Sequence, residues 1–265
     1  MDLSHYQTLA LETRGAALWV TLNRPESLNA FDSLMIDELL RLFTGLEAER
    51  ELRVVVLRGA GRAFCAGLDL KDILPRLDEM NALAVFDEQR RLSRIILAMR
   101  RCPQPIVCLW HGAASGGGFV LGLAADIRYC TPEVRLNAAF ILVGLTGCDV
   151  GVSWLLPRLV GASVATELLL TGRTIGAARA QAIGLVADVI DQADLEATAE
   201  RTVAELLHAT PLALMLTKQA LQANLSAPSL EAAIDLEDRQ QALLALQPDF
   251  SQRMRAFAAR KTERK

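Results

Sequence analysis

The sequence IVCLWHGAASGGGFVLGL, at residues 106–123, is the stretch from which the fold is inferred. Its first five residues, Ile106–Trp110, are apolar and partly β-branched, which is typical of a strand buried on both faces. A turn of small residues ending in Gly116, Gly117 and Gly118 then leads into an apolar helical segment. Such a turn lets a ligand approach the backbone closely, because no side chain stands in the way.

A second segment has the same order of strand, small-residue turn and helix. Arg53–Arg58 (RVVVLR) is predicted to be a buried strand, and Ala63–Lys71 (AFCAGLDLK) supplies the turn. Helix N-termini leave N–H groups unpaired, and such groups suit a developing negative charge. Two turns of this kind that face one carbonyl oxygen make an oxyanion hole. The alternative is that the glycines only permit close packing of helix against strand.

Strands and helices alternate up to about residue 150, which predicts an α/β fold with right-handed crossovers. Helices dominate after that point, with one predicted strand, Val186–Ile190, between them. No low-complexity linker separates the two halves, so we expect them to share one core. We predict an α/β core at residues 1–195 and a C-terminal helical region at residues 196–265.

Composition and charge argue against several classes of protein. The 265-residue chain is 52% hydrophobic and 22% charged, with a formal net charge of −3, so no basic surface for nucleic acid is expected. We find no apolar run of the roughly 18 residues that a membrane span needs, and no signal-peptide pattern. The five cysteines lack CxxC spacing, and the three histidines form no pair at helical spacing. Free thiols in a cytoplasmic protein without a metal site are therefore predicted.

A set of motifs in a fixed order resembles the crotonase (enoyl-CoA hydratase/isomerase) superfamily. These motifs are LNRP (22–25), FCAGLDLK (64–71), HGAASGGG (111–118), ADIR (125–128), LPRLVG (156–161) and LTGR (170–173). The resemblance implies a crotonase-like spiral of ββα units and a C-terminal helical region that mediates trimer formation. It also implies an enzyme of fatty acid metabolism that binds an acyl-CoA thioester and stabilises its enolate. Coenzyme A would be part of the substrate, so no separate cofactor is expected.

The resemblance assigns roles to individual positions. The oxyanion donors would be the backbone N–H groups of Leu68 and Gly117. Ala66 would lie near the CoA adenine, and Arg24 and Lys71 would lie near the CoA phosphates or the pantetheine entrance.

The last predicted helix carries two further positions of this kind. Phe257 and Arg260 match the positions that reach the CoA of a neighbouring subunit in a homotrimer or hexamer. The alternative for the basic residues of this helix is a solvated helix end with a favourable dipole interaction.

Two positions depart from the hydratase pattern. Typical enoyl-CoA hydratases use two glutamates to position and activate water, and the corresponding residues here are Val120 and Phe140. Neither side chain can transfer a proton, which puts the usual hydration mechanism in doubt.

One acidic residue, Asp149, remains in this apolar region. Burial would raise the pKa of its carboxyl and suit it to general acid/base work. The Asp-Val-Gly segment resembles that of dienoyl-CoA isomerases, in which the Asp moves a proton along the acyl chain. Crotonase-type dehalogenases carry an Asp near this point as a nucleophile. The alternative is a structural Asp149 that caps the helix near Val152 or bonds a local turn.

The favoured interpretation is thus an acyl-CoA isomerase or lyase that uses the oxyanion pair and Asp149. A non-catalytic acyl-CoA-binding protein is one alternative, since both glutamates are missing. A serine hydrolase is another, with Ser115 as nucleophile and His111 or His208 as base. Its Gly112–Gly116 segment misses the GxSxG spacing by one residue.

Overall fold

The predicted alternation of strands and helices is present in the computed structural model, which describes residues 3–262 and side chains as far as residue 259. The strands are β1 (Leu9–Arg14), β2 (Ala17–Leu22), β3 (Val54–Gly59), β4 (Ile106–Trp110), β5 (Ala113–Ser115), β6 (Ile127–Cys130), β7 (Arg135–Asn137) and β8 (Asp188–Val189). The helices are α1 (Ser33–Leu46), α2 (Leu70–Leu77), α3 (Ala82–Arg101), α4 (Gly117–Leu123), α5 (Val152–Val160), α6 (Ala162–Thr171), α7 (Ala177–Ala182), α8 (Leu195–His208), α9 (Pro211–Asn224), α10 (Leu230–Ala245) and α11 (Phe250–Thr262).

Two sheets set the frame of the α/β part. The larger sheet has the order β1-β2-β3-β4-β6-β8, and its neighbours are parallel except for the antiparallel pair β1 and β2. The smaller sheet pairs β5 with β7, and a bridge between Cys65 and Ala114 extends it. The chain therefore passes from a long strand through a short one into a helix, as in β4-β5-α4. This repeat gives the predicted spiral of ββα units.

The central strands are mostly apolar because both faces of the large sheet are covered. In β2, Leu18 and Val20 face a core shared with α1, α3 and α4, whereas Trp19 faces the opposite side. There Trp19 belongs to a second cluster with residues of α8, including Leu195 and Val203. Helix α8 is therefore part of the cover of the sheet.

The chain divides into two compact units, Met1–His208 and Ala209–Lys265. The sequence predicted a boundary after residue 195, whereas the compact units divide after His208. Helix α8 belongs to the first unit because it buries its apolar face on the sheet. The helices that follow residue 150 are divided between the two units. Helices α5–α8 lie in the first unit, and α9–α11 form the second.

The second unit consists of α9, α10 and α11. Thr210 and Ser229 cap α9 and α10, since their side chains accept hydrogen bonds from the N–H groups of Ala213 and Ala232. No helix in the described part of the chain has the length and apolar composition needed to cross a bilayer.

Candidate active site

The two small-residue turns singled out in the sequence are hydrogen-bonded to each other. Backbone N–H groups of Phe64 and Cys65 donate to the carbonyl oxygens of His111 and Ala113 at 2.9 and 3.0 Å. The Ser115 N–H donates in return to the Cys65 carbonyl at 3.0 Å. The segments thus run side by side like parallel strands, and each leads into its own helix.

Gly67 lies where the turns come closest. A Cβ atom there would be 2.8 Å from the Ser115 carbonyl oxygen and 3.5 Å from the Gly117 nitrogen. Gly67 also has φ +94°, a conformation that side chains disfavour. Glycine is therefore required at this position both by space and by backbone conformation.

The predicted oxyanion donors have their N–H groups unpaired within the described residues. Neither the Leu68 N–H nor the Gly117 N–H donates to another described group, although Gly67 and Asp69 exchange hydrogen bonds with Phe31 on either side of Leu68. Gly117 is the first residue of α4, where a helix has no partner for its N–H groups. Two adjoining turns thus each present one unpaired donor, an arrangement that can bind an oxygen that gains negative charge.

The turn that carries Leu68 is held by a polar network that the motifs alone did not indicate. The buried Asn29 amide donates to the carbonyl oxygens of Ala60 and Ala63, both at 2.8 Å, and accepts from the Arg24 N–H at 2.9 Å. In the sequence, the LNRP motif at residues 22–25 marks this region, and Asn29 follows it by four residues.

Arg24 was predicted near the CoA, and the structure shows where its guanidinium is engaged. It lies 3.0 Å from the Asp32 carboxylate and 3.0 Å from the Asp69 carboxylate. Each carboxylate also caps a helix: Asp32 accepts from the Met35 N–H, and Asp69 accepts from the Lys71 N–H. Arg24 therefore ties the N-termini of α1 and α2 together.

A cavity of about 310 Å³ begins at the two turns. Most of its wall is apolar, and it includes Ala66, Leu68, Gly117 and Asp149 among the predicted site residues. The lining residues are Phe31, Ala66, Gly67, Leu68, Leu70, Gln89, Leu92, Ile95, Ile96, Ser115, Gly116, Gly117, Leu121, Ala139, Phe140, Val143, Leu145, Asp149 and Val150. Arg24 is not part of this wall, and Lys71 is an exposed residue of α2.

Asp149 is the one ionisable side chain among the described residues of the cavity wall. Its Oδ1 accepts hydrogen bonds from the Val150 N–H at 2.7 Å and from the amide of Gln89. Burial raises the pKa of the Asp149 carboxyl, and these two hydrogen bonds oppose the rise. The side chain does not cap α5, whose N-cap is Gly151, but it does bond the N–H of the next residue in its own loop.

The two residues predicted to stand at the glutamate positions, Val120 and Phe140, have different surroundings. Val120 is fully buried in α4, whereas Phe140 lines the cavity. A Cβ atom added to Gly116 would lie 3.6 Å from the Phe140 ring. A Cβ atom added to Gly117 would lie 3.0 Å from the Phe31 ring. Aromatic side chains therefore flank the second turn, and neither residue supplies a proton-transfer group.

The serine hydrolase alternative finds no triad in the described part of the chain. Ser115 lines the cavity, but the His111 ring bonds the Gly61 carbonyl at 3.1 Å, and the His208 ring bonds the Ala204 carbonyl at 2.6 Å. Burial lowers the pKa of His111. Both histidines therefore have structural partners.

The two C-terminal positions lie in α11 of the second unit. Phe257 is exposed, with 69% of its surface accessible. The Arg260 side chain lies outside the described residues.

The family model for enoyl-CoA hydratase/isomerase matches residues 12–264. This range includes nearly all of the fold and the site. The chain belongs to the enoyl-CoA hydratase/isomerase family of the crotonase superfamily. The fold agrees, since the structure of an enoyl-CoA hydratase from Bacillus anthracis superposes with a TM-score of 0.89 at 28% identity, covering 96% of this chain and 97% of that one.

Relatives in this family have names of both kinds, hydratase and isomerase. A probable enoyl-CoA hydratase of Mycobacterium leprae is 36% identical over 231 residues, which is 86% of this chain and 78% of the relative. The 1,2-epoxyphenylacetyl-CoA isomerase of Escherichia coli K12 is 32% identical over 245 residues, 92% of each chain. The family is therefore that of acyl-CoA enzymes, and its members include both hydratases and isomerases.

Proposed function

We propose that this enzyme moves a double bond along an acyl-CoA thioester, with Asp149 as its acid and base. The observation that carries the proposal is the composition of the cavity: one carboxyl and two unpaired N–H groups line the same, mostly apolar wall. Enolate formation needs both parts, since the N–H pair stabilises the oxygen and the carboxyl moves the proton.

The chemistry requires no further group. The thioester carbonyl oxygen accepts hydrogen bonds from the N–H groups of Leu68 and Gly117. The carboxylate of Asp149 takes a proton from C2 of a 3-enoyl thioester, and the electron pair of the broken C–H bond is delocalised onto the carbonyl oxygen. The carboxylic acid then returns the proton to C4, so that the double bond comes to lie between C2 and C3. Coenzyme A takes part only as the thiol portion of the substrate.

Hydration makes a further demand on the site. Water must be held on one face of the double bond while a proton reaches the α-carbon, and typical hydratases of the family divide this work between two glutamates. With Val120 and Phe140 at those positions, Asp149 has no carboxylate partner among the described residues of the cavity wall. Isomerisation is the reaction that a single carboxyl can complete.

Several predictions concern the rest of the substrate and the assembly. Ala66 lines the cavity and Lys71 is exposed; contact of Ala66 with the adenine and of Lys71 with a CoA phosphate remain part of the proposal. Arg24 contributes through its bridge between Asp32 and Asp69. CoA contacts by Phe257 and Arg260, a trimer or hexamer, a role in fatty acid metabolism and a cytoplasmic location stay predictions from the resemblance.

The test compares two reactions of the purified wild-type enzyme. Isomerisation of a 3-enoyl-CoA and hydration of crotonyl-CoA are followed under the same conditions. We expect isomerisation to proceed and hydration to be slower by about 10² or more, the contribution of one general acid/base group. Rapid hydration of crotonyl-CoA would refute the preference. Binding of both esters without turnover of either would favour the non-catalytic alternative.

A further inference from the structure

Gln89 approaches the candidate catalytic acid from a distant part of the sequence. It lies on α3, lines the cavity, and its side-chain amide donates a hydrogen bond to Oδ1 of Asp149. The same oxygen accepts the N–H of Val150 at 2.7 Å. Both donors to this carboxyl therefore converge on one of its two oxygens.

The other oxygen, Oδ2, is left for different partners. It accepts no hydrogen bond from a described residue, and it is not among the fully buried polar atoms without a partner. Because Asp149 lines the cavity, Oδ2 is the carboxyl oxygen available to a bound substrate.

We propose that Gln89 is a positioning residue that fixes Asp149 through Oδ1, so that Oδ2 faces the carbon atoms whose proton is transferred. The inference rests on the proposed function, because it assigns Gln89 a role only if Asp149 transfers the proton. Gln89 does not itself exchange a proton, since a neutral amide has no suitable acid or base form.

The helix that carries Gln89 is firmly held. One turn further along α3, the Ser93 hydroxyl donates to the Gln89 carbonyl at 3.2 Å, and Ile95 and Ile96 are buried in the core. An amide on such a helix holds a carboxyl in one orientation, as a catalytic group requires.

The electrostatic surroundings make this contact significant for the pH dependence. The neighbouring Glu88 is paired with Arg76 and Arg91, and Cys148 next to Asp149 is exposed. No other ionisable side chain lines the described cavity wall. The donors of Gln89 and Val150 are thus the groups that offset the burial of the carboxylate.

Two variants of Gln89 test the proposal, with Arg94→Leu as a matched control. Gln89→Leu removes the donor, and Gln89→Glu keeps the size while placing a second carboxyl against the first. Arg94→Leu makes the same polar-to-leucine change at an exposed position of α3. The measurement is the pH profile of kcat/KM for 3-enoyl-CoA isomerisation, with KM and kcat determined separately and folding checked by circular dichroism.

We expect the acid limb to move to higher pH by about one unit in Gln89→Leu, because the carboxylate loses a hydrogen bond of the charge-assisted kind. In Gln89→Glu the limb should move further, since two adjacent carboxyls share a proton. At the optimum, kcat should fall about tenfold with KM little changed, and Arg94→Leu should match wild type. A folded Gln89→Leu with an unchanged limb and kcat overturns the proposal.

The variant Asp149→Asn distinguishes a failure of the Gln89 proposal from a failure of the proposed function. If Asp149→Asn is inactive and Gln89→Leu has the wild-type profile, only the role of Gln89 is wrong. If Asp149→Asn keeps full isomerase activity, the proposed function itself is wrong.

Discussion

The cavity wall holds two parts of different chemistry, named here the backbone end and the side-chain end. In the backbone end, the N–H groups of Leu68 and Gly117 lie on turns that are hydrogen-bonded to each other and require glycine at residue 67. In the side-chain end, a single side chain, Asp149, is held by Gln89 and by the next N–H of its own loop. In the proposed reaction, the backbone end would bind the thioester carbonyl, a task common to acyl-CoA substrates. The side-chain end would move the proton and so would distinguish one reaction from another.

The loop at the side-chain end adopts an unusual conformation. Val150 has φ +40° and Gly151 has φ +92°. Left-handed backbone is rare for a β-branched residue, and such conformations are typically found at functional sites. In this case the strained residue is the one whose N–H binds Asp149, so its conformation serves to direct the carboxyl.

The largest loss of activity is expected when the backbone end is disrupted. Gly67→Ala would bring a methyl group to 2.8 Å from the Ser115 carbonyl oxygen and impose a side chain at φ +94°. The turns would have to separate, and loss of an oxyanion donor typically lowers turnover by about 10²–10³. We expect a loss of this size in kcat for 3-enoyl-CoA isomerisation, measured by steady-state kinetics.

Gly15→Ala is the control for this variant. Gly15 also has a positive φ, +58°, but a Cβ atom there meets nothing within 4 Å. A backbone penalty of about 1 kcal/mol is expected, with kcat unchanged. If Gly67→Ala were as active as Gly15→Ala, the Leu68 turn would not contribute to catalysis.

A smaller effect should follow when the brace behind the Leu68 turn is removed. Arg24→Met leaves Asp32 and Asp69 without their shared partner, and these three side chains are 11–20% exposed. Breaking such charge-assisted contacts should lower the free energy of unfolding by about 2–3 kcal/mol. Denaturant titration measures the loss. Arg173→Met, which removes the exposed Arg173–Glu167 pair, should change stability by less than about 1 kcal/mol. Equal effects of the two variants would contradict the bracing role of Arg24.

The smallest expected effect concerns stability at the side-chain end. Burial raises the folded-state pKa of Asp149, so the folded protein binds its proton more tightly than the unfolded chain does. The charged carboxylate therefore destabilises the fold above that pKa, and the penalty disappears as pH falls. Asp149→Asn should be more stable than wild type at pH 7.5 and lose this advantage as pH falls to about 3.5, below the ordinary pKa of an aspartate in the unfolded chain, as followed by thermal unfolding. A pH-independent difference would contradict the burial of the charge.

The difference between the two ends also explains what the sequence could predict. The strands β3 and β4 and both turns follow from local patterns of apolar and small residues. Asp149 stood out because it is an acid in an apolar segment.

Other features depend on tertiary contacts between distant residues. Gln89 is sixty positions away from Asp149 and looks like any polar residue of an amphipathic helix. The pairing of Arg24 with two capping aspartates and the packing of α8 on the sheet likewise follow only from the folded structure.

Deuterium exchange tests the central claim most directly, namely that Asp149 removes a proton from a thioester held by the two turns. A 3-enoyl-CoA is incubated with enzyme in D₂O, and NMR follows loss of the C2 proton and incorporation of deuterium. We predict that Asp149→Asn lowers the exchange rate by about 10²–10⁴ while the affinity for a saturated acyl-CoA is unchanged. Exchange at the wild-type rate in Asp149→Asn would show that another group removes the proton.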